Sequence, residues 1–72
     1  MINIQDIIPF MKDGWVAMDS NGDWWWWQDE PEQMLEDKCW WKLHGDFARL
    51  SASFDIAPAD DWAKSLIKVG EK

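Results

Sequence analysis

Three features of this 72-residue chain have residue types that could do chemistry: His44, Cys39 and the segment Asp19-Ser20-Asn21-Gly22-Asp23. A histidine works as a general base only with a nucleophile or an acid oriented beside it. His44 adjoins Gly45-Asp46, and Asp46 and Asp19 are its only nearby acids in a loose sense; no triad or metal spacing surrounds it. It reads as a surface residue beside a turn. Cys39 is the sole cysteine, so it has no partner for an intrachain disulfide or a thiolate metal site. It reads as a small core residue rather than a reactive thiol. Residues 19–23 place acids around a glycine, as a calcium loop does. An EF-hand needs a longer loop, a closing glutamate and flanking helices, and a hairpin turn uses these residues fully. Carboxylate pairs suited to glycoside hydrolysis occur in any chain with 14 acidic residues, so they carry no signal. No glycine-rich phosphate loop is present. The expectation is a protein that is not an enzyme and uses no cofactor and no metal.

The remaining chemistry belongs to indole. There are eight tryptophans and no tyrosine, and four of the tryptophans are consecutive, Trp24 to Trp27. Each indole offers a large apolar surface, one N–H donor and no acceptor. Successive side chains of a strand point to opposite faces, so two of the four must face each way. Either both faces of this strand are covered, or tryptophan is displayed to water or to a partner.

Composition narrows the classes. Fourteen acids against seven bases give a net charge of −7. A non-specific grip on a phosphate backbone needs an excess of Lys and Arg, so nucleic acid is not an expected partner. The charge favours solubility and is compatible with a basic partner. The length suits one small domain over residues 1–72 with a thin core. The start, Met1-Ile2-Asn3-Ile4-Gln5-Asp6, lacks the basic and apolar regions of a signal peptide. No apolar run approaches the ~20 residues that span a bilayer. With a single cysteine, a reducing cytoplasm is the expected compartment, and no membrane is an expected partner.

The elements that would position these residues follow from the pattern. Residues 4–13 read as a short helix capped by Asp6, with Pro9 in the first turn and an apolar face of Ile7, Ile8, Phe10 and Met11. Gly14 would close it. Residues 15–19 read as a strand, and Asn21-Gly22 suits a two-residue hairpin turn. That turn sets Met18 against Trp25 and Val16 against Trp27. It assigns Val16, Met18, Trp25 and Trp27 to the core, and Trp15, Ala17, Asp19, Trp24, Trp26 and Gln28 to the other face. Residues 29–37 form an acidic connector in which Pro31 argues against a central strand. Residues 38–54 read as a second hairpin turning at Gly45-Asp46. Its inward set is Cys39, Trp41, Leu43, Ala48, Leu50, Ala52 and Phe54. Its outward set includes Trp40, Lys42, His44, Phe47 and Arg49. Asp60 can cap a helical turn over residues 60–66, with 66–69 alternatively an edge strand. A frayed tail ends the chain. The fold class is α+β, a small antiparallel sheet of about four strands in two hairpins with an N-terminal helix and a short C-terminal helix.

These registers gather Trp15, Trp24, Trp26 and Trp40, fringed by Lys42, Arg49 and Phe47, into one outer aromatic face. Such a face suits protein binding, or stacking of carbohydrate or single-stranded nucleic acid. Alternatively Trp62 and Leu66 fold over it as a second core, or a second copy covers it in a homo-dimer.

Asp13-Gly-Trp-Val-Ala-Met-Asp-Ser-Asn-Gly-Asp-Trp-Trp-Trp-Trp27 and Asp61-Trp-Ala-Lys-Ser-Leu-Ile-Lys-Val-Gly70 together resemble small acidic, tryptophan-rich proteins encoded by bacteriophages and prophages, most of them uncharacterised. The resemblance covers about half the chain and transfers no functional residue. It implies a cytoplasmic accessory protein that acts by binding a host or defence protein.

Overall fold

The computed structural model of the protein describes residues 1–70; Glu71 and Lys72, in the expected tail, lie outside them. It is an α+β fold. A short helix, α1 (Ile4–Ile7), precedes six strands: β1 (Gly14–Met18), β2 (Trp24–Trp27), β3 (Glu32–Met34), β4 (Cys39–Trp41), β5 (Phe47–Arg49) and β6 (Ile67–Val69). Four of them form one antiparallel sheet in the order β5-β2-β1-β6, and β3 and β4 pair separately.

The helix is shorter than expected and begins at a different cap. Asn3, not Asp6, is the N-cap, its side-chain oxygen accepting the Gln5 N–H at 2.9 Å. Pro9 then lies beyond the first turn, where its ring and missing N–H stop an α-helix. Residues Ile8–Phe10 wind on as a 3-10 turn. Ile4 is buried while Phe10 is 88 % exposed, so the apolar face is narrower than residues 7–11 suggested.

The first hairpin forms, one residue out of the expected register. Met18 faces Trp24, Ala17 faces Trp25, Val16 faces Trp26 and Trp15 faces Trp27. The loop is the cause. The Asp19 N–H bonds the Asp23 carbonyl, and the Gly22 N–H bonds the Asp19 carbonyl. The loop therefore holds Ser20, Asn21 and Gly22, with Gly22 at φ +93°. A three-residue loop ending in a left-handed residue uses Asn-Gly as readily as a two-residue loop does. The Asn21 side-chain oxygen accepts the Asp23 N–H and reinforces it. A slip of one residue exchanges the two faces of a strand. Trp24 and Trp26 thus join Val16 and Met18, and Trp25 and Trp27 join Trp15 and Ala17.

The second hairpin expected over residues 38–54 does not form. β4 pairs with β3, placing Trp41 opposite Glu32, and β5 pairs with β2, placing Phe47 opposite Trp27. Gly45, at φ +94°, still turns the chain, but between two sheets rather than within one. Alternating polarity states which side of a strand is apolar and not which strand lies beside it. Here the acidic connector supplies β3 and the free edge of β2 takes β5. The expected inward set is mostly overturned: Trp41, Leu43, Ala48, Ala52 and Phe54 are exposed, Cys39 and Leu50 are half-buried, and Trp40, placed outward, is buried.

Both faces of the main sheet are covered. On one, Val16, Met18, Trp24 and Val69 pack with Ile4 and Ile56, and Ile7, Ile8, Met11, Trp26, Leu50 and Trp62 close the margin. On the other, Ala17 and Trp27 are buried, and the β3–β4 hairpin meets the sheet where Trp41 stands edge-on to Trp27. It is fixed there by the Trp40 N–H to the Asp19 carboxylate, 2.9 Å, and by the Ser20 N–H to the Lys38 carbonyl, 3.0 Å. At the C-terminal end Asp61, not Asp60, caps a single 3-10 turn, Trp62–Lys64. The chain then runs into β6, the edge strand held open as an alternative for 66–69. Two serine hydroxyls extend the strand pairings. Ser65 Oγ accepts the Met18 N–H at 2.8 Å, and Ser51 Oγ accepts the Trp24 N–H at 2.9 Å.

Candidate binding site: an aromatic cluster at the sheet edge

The six residues expected to form one binding face are dispersed. Trp24 is 1 % exposed at the centre of the core, and its indole N–H donates to the Ala57 carbonyl at 3.1 Å. Trp26 lies on the same side and donates to the Lys12 carbonyl. Trp40 is buried in the second sheet, edge-on to Trp62 and donating to its carbonyl. Part of the expectation that Trp62 covers an outer indole is thereby realised: its ring stands against Trp40, and it also packs on the buried cluster that contains Trp24. Trp15 lies half-buried on the opposite face of the main sheet, with the Lys68 ammonium 5.9 Å from its ring centre. Lys42 is half-buried in a cleft with Glu30, Glu32 and Leu66. Arg49, on the β5 edge, is held by Asp23 at 3.1 Å. The one-residue slip moved Trp24 and Trp26 inward, and the exchanged strand partners turned Trp40 inward as well.

The rings that do gather are Trp25, Trp27, Trp41 and Phe47. Phe47 is the hub, with ring centres 5.9 Å from Trp25, 5.5 Å from Trp27 and 6.4 Å from Trp41. Trp25 and Trp27 are 6.2 Å apart, and Trp41 stands edge-on to Trp27 at 6.2 Å. β2 and β5 bring three of these rings to one face because opposite residues in a sheet share a side. The hairpin end at Trp41 adds the fourth. The cluster grades outward from Trp27, 3 % exposed, to Trp41 and Phe47, 47 % and 51 % exposed; Leu43, 75 % exposed, lies in the loop between them.

The indole N–H groups divide with the geometry. Trp24, Trp26 and Trp40 each donate to a backbone carbonyl. The Nε1 atoms of Trp25 and Trp27 are buried with no acceptor among the described residues. An unpaired buried donor costs about 1–3 kcal/mol. The chain carries that strain and a patch of exposed aromatic surface in the same place.

Acids rim the cluster. Glu32 lies across from Trp41, Asp46 precedes Phe47, and the Asp29 carboxylate sits against Gly45. All three are exposed. Elsewhere, burial raises the Asp19 carboxyl above its ordinary value, against the lowering effect of the Trp40 N–H and with a further rise from Asp23. Burial, then Asp19 and Asp37, raises the Cys39 thiol, which disfavours a thiolate nucleophile. His44 is exposed, and no group of three His, Cys, Asp or Glu among the described residues could hold a metal ion. No helix among them is long and apolar enough to cross a membrane.

No protein-family model, curated protein or solved structure matches this chain. The sequence pattern places Phe47 outside and Trp25, Trp27 and Trp41 in the core; Trp27 is buried, Trp25 half-buried and Trp41 exposed. The signal that finds Trp25 and Trp27 on this face is the alternative three-residue reading of Ser20-Asn21-Gly22, which reverses the faces of the Trp run; Trp41 joins them only through the exchange of strand partners.

Proposed function

We propose that this protein is a noncatalytic protein-binding module that seats its partner on Trp25, Trp27, Trp41 and Phe47. The observation that carries this reading is the coincidence, in one cluster, of exposed aromatic rings and two indole donors without acceptors. Trp is among the residues that dominate binding hot spots, and a buried aromatic centre ringed by polar residues is their usual form. The rim of Glu32, Asp29 and Asp46, with the net charge of −7, favours a partner with a basic surface. On the resemblance to phage and prophage proteins, that partner is a host or defence protein in the bacterial cytoplasm, and the module is an accessory or inhibitor.

Stacking of carbohydrate or single-stranded nucleic acid is less favoured. The cluster's rings are tilted by 31° to 50° or stand edge-on, so they make no flat platform. The negative charge opposes a phosphate backbone.

The test uses Trp41→Ala/Phe47→Ala, which removes two half-exposed rings and leaves the Trp24 core intact. Partners captured from a bacterial lysate by the wild-type chain should be lost with this variant and retained with Phe10→Ala, an exposed aromatic far from the cluster in sequence. Equal capture by all three chains, with far-ultraviolet circular dichroism unchanged, would refute the assignment.

A further inference from the structure

Among the described residues, the main sheet has two free edges, β5 and β6, and the smaller sheet exposes β3. An unpaired edge is a template for another strand, and proteins blunt such edges with Lys, Pro or inward charge. The hydrogen-bond parity of the sheet shows which backbone groups are free. The Gln28 N–H bonds the Asp46 carbonyl, so residues 28 and 46 are a bonded pair, as 26 and 48 must then be. Pairs alternate, so the N–H and C=O of Phe47 and Arg49 point away from β2. By the same rule the outward groups of β6 belong to Lys68, a charged residue at the middle of that strand. β3 follows Pro31 and begins with Glu32. β5 contains no Pro and no acid, its one charge, Arg49, is ion-paired to Asp23 at 3.1 Å, and all three of its residues are exposed.

We infer that β5 pairs antiparallel with β5 of a second copy, about a two-fold axis through Ala48. The register is self-complementary. With Ala48 opposite Ala48, Phe47 of each chain lies opposite Arg49 of the other, and these are the residues whose backbone groups point outward. Each such pair exchanges two N–H···O bonds, as antiparallel bonded pairs do. The side chains agree with the backbone. Phe47 and Arg49 project to the same face as Trp25 and Trp27, and Asp23 of the same chain holds the guanidinium at 3.1 Å, so no unpaired charge opposes the second strand. A two-fold axis demands that one patch match itself, and Phe-Ala-Arg does. The two aromatic clusters then lie on one face of a continuous eight-stranded sheet. The pairing is distinct from partner binding because it uses the backbone edge rather than the ring faces.

Charge sets a condition. Two chains of −7 repel one another, and salt screens that repulsion within about 8 Å at physiological ionic strength. Association should therefore strengthen as salt is raised.

Sedimentation equilibrium of the full chain tests the proposal, with Arg49→Pro as the breaking variant and Arg49→Gln, which also lacks the guanidinium but keeps the N–H, as its control. Arg49 has φ −83° and an N–H that β2 does not use, so proline fits the monomer. Loss of two symmetry-related hydrogen bonds should raise the dimer dissociation constant about thirtyfold, while Arg49→Gln should leave it nearly unchanged. A second measurement does not depend on that variant folding. Non-bonded antiparallel pairs bring Cα atoms to about 4.5 Å, within disulfide reach. In a Cys39→Ser background, Ala48→Cys should form a disulfide-linked dimer under mild oxidation, and Lys68→Cys, on the other edge, should not. A wild-type chain that stays monomeric at every concentration and salt overturns the pairing. So does a dimer indifferent to Arg49→Pro, or cross-linking no faster at residue 48 than at residue 68.

Discussion

Trp24 and Trp27 are a matched pair for measuring what an unpaired indole costs this fold. Both lie in β2 and both are nearly fully buried, 1 % and 3 % exposed. Trp24 Nε1 donates to the Ala57 carbonyl, and Trp27 Nε1 has no acceptor. Replacing either by Phe removes roughly 50 Å² of ring surface, about 1–1.5 kcal/mol at about 25 cal/mol per Å². That loss is common to the two variants and cancels in their difference. Trp24→Phe also strips the Ala57 carbonyl of its donor, adding about 1–3 kcal/mol of destabilisation. Trp27→Phe removes an unsatisfied donor and recovers a similar amount, about 1–3 kcal/mol. Trp24→Phe should therefore cost about 2–4.5 kcal/mol, and Trp27→Phe should fall between a gain of about 2 and a loss of about 0.5 kcal/mol. The gap is large beside a total stability of about 4–11 kcal/mol for a domain of this length. Equilibrium urea denaturation followed by far-ultraviolet circular dichroism measures both, with the m-values checked for constancy. Equal destabilisation by the two substitutions would refute the reasoning, because it would mean that the Trp27 donor is satisfied in the folded protein.

Other perturbations probe the elements that hold the cluster in place. The Asp19 carboxyl is raised above its ordinary value of 3.8, chiefly by burial, so the folded chain holds that proton more tightly than the unfolded chain. Stability contributed by Asp19 is then greatest at low pH and declines as pH rises past the ordinary value. Asp19→Asn keeps an acceptor for the Trp40 N–H and should raise neutral-pH stability by less than about 1 kcal/mol after solvent screening, with the gain vanishing below 3.8. A lowered melting temperature at neutral pH would contradict this. Ser65→Ala leaves the buried Met18 N–H without its acceptor and should cost about 1–3 kcal/mol in urea denaturation. Gly14→Ala would place a Cβ 2.5 Å from the Trp27 carbonyl oxygen and 2.8 Å from Trp26 Nε1. Because the nearer obstacle is backbone, the β1–β2 pair must separate, and a loss of about 1–3 kcal/mol is expected in the same assay.

The sequence determined a good deal alone. Alternation and turn residues specified an α+β chain, a hairpin at Asn21-Gly22 and a Trp run split two and two between faces. The change of period near Gly14 marked the start of the first strand, though the helix before it ends earlier, at Ile7. Such properties are local, because turn chemistry and side-chain periodicity act over a few residues. The sequence also left the end of the chain correctly open, and residues 67–69 became the edge strand.

The tertiary structure decided the rest, and three non-local choices account for it. The loop after Met18 closes over three residues rather than two, where Asp19 bonds Asp23 and Ser20 also bonds Lys38. That one-residue difference sends Trp24 inward and leaves Trp27 in the second cluster. β4 took β3 as its partner and β5 took β2, although residues 38–54 alternate as cleanly as a hairpin of their own. Asn3 outcompeted Asp6 as the helix cap and left Pro9 to end the helix. In each case two local solutions satisfied the same residues. The one adopted was selected by what else it buried or bonded, which no short window of sequence contains. The aromatic cluster of Trp25, Trp27, Trp41 and Phe47 depends on two of these choices at once, the register of one hairpin and the exchange of partners in the other. That is why its members could be read individually as tryptophan and phenylalanine, but as a site only after the chain had folded.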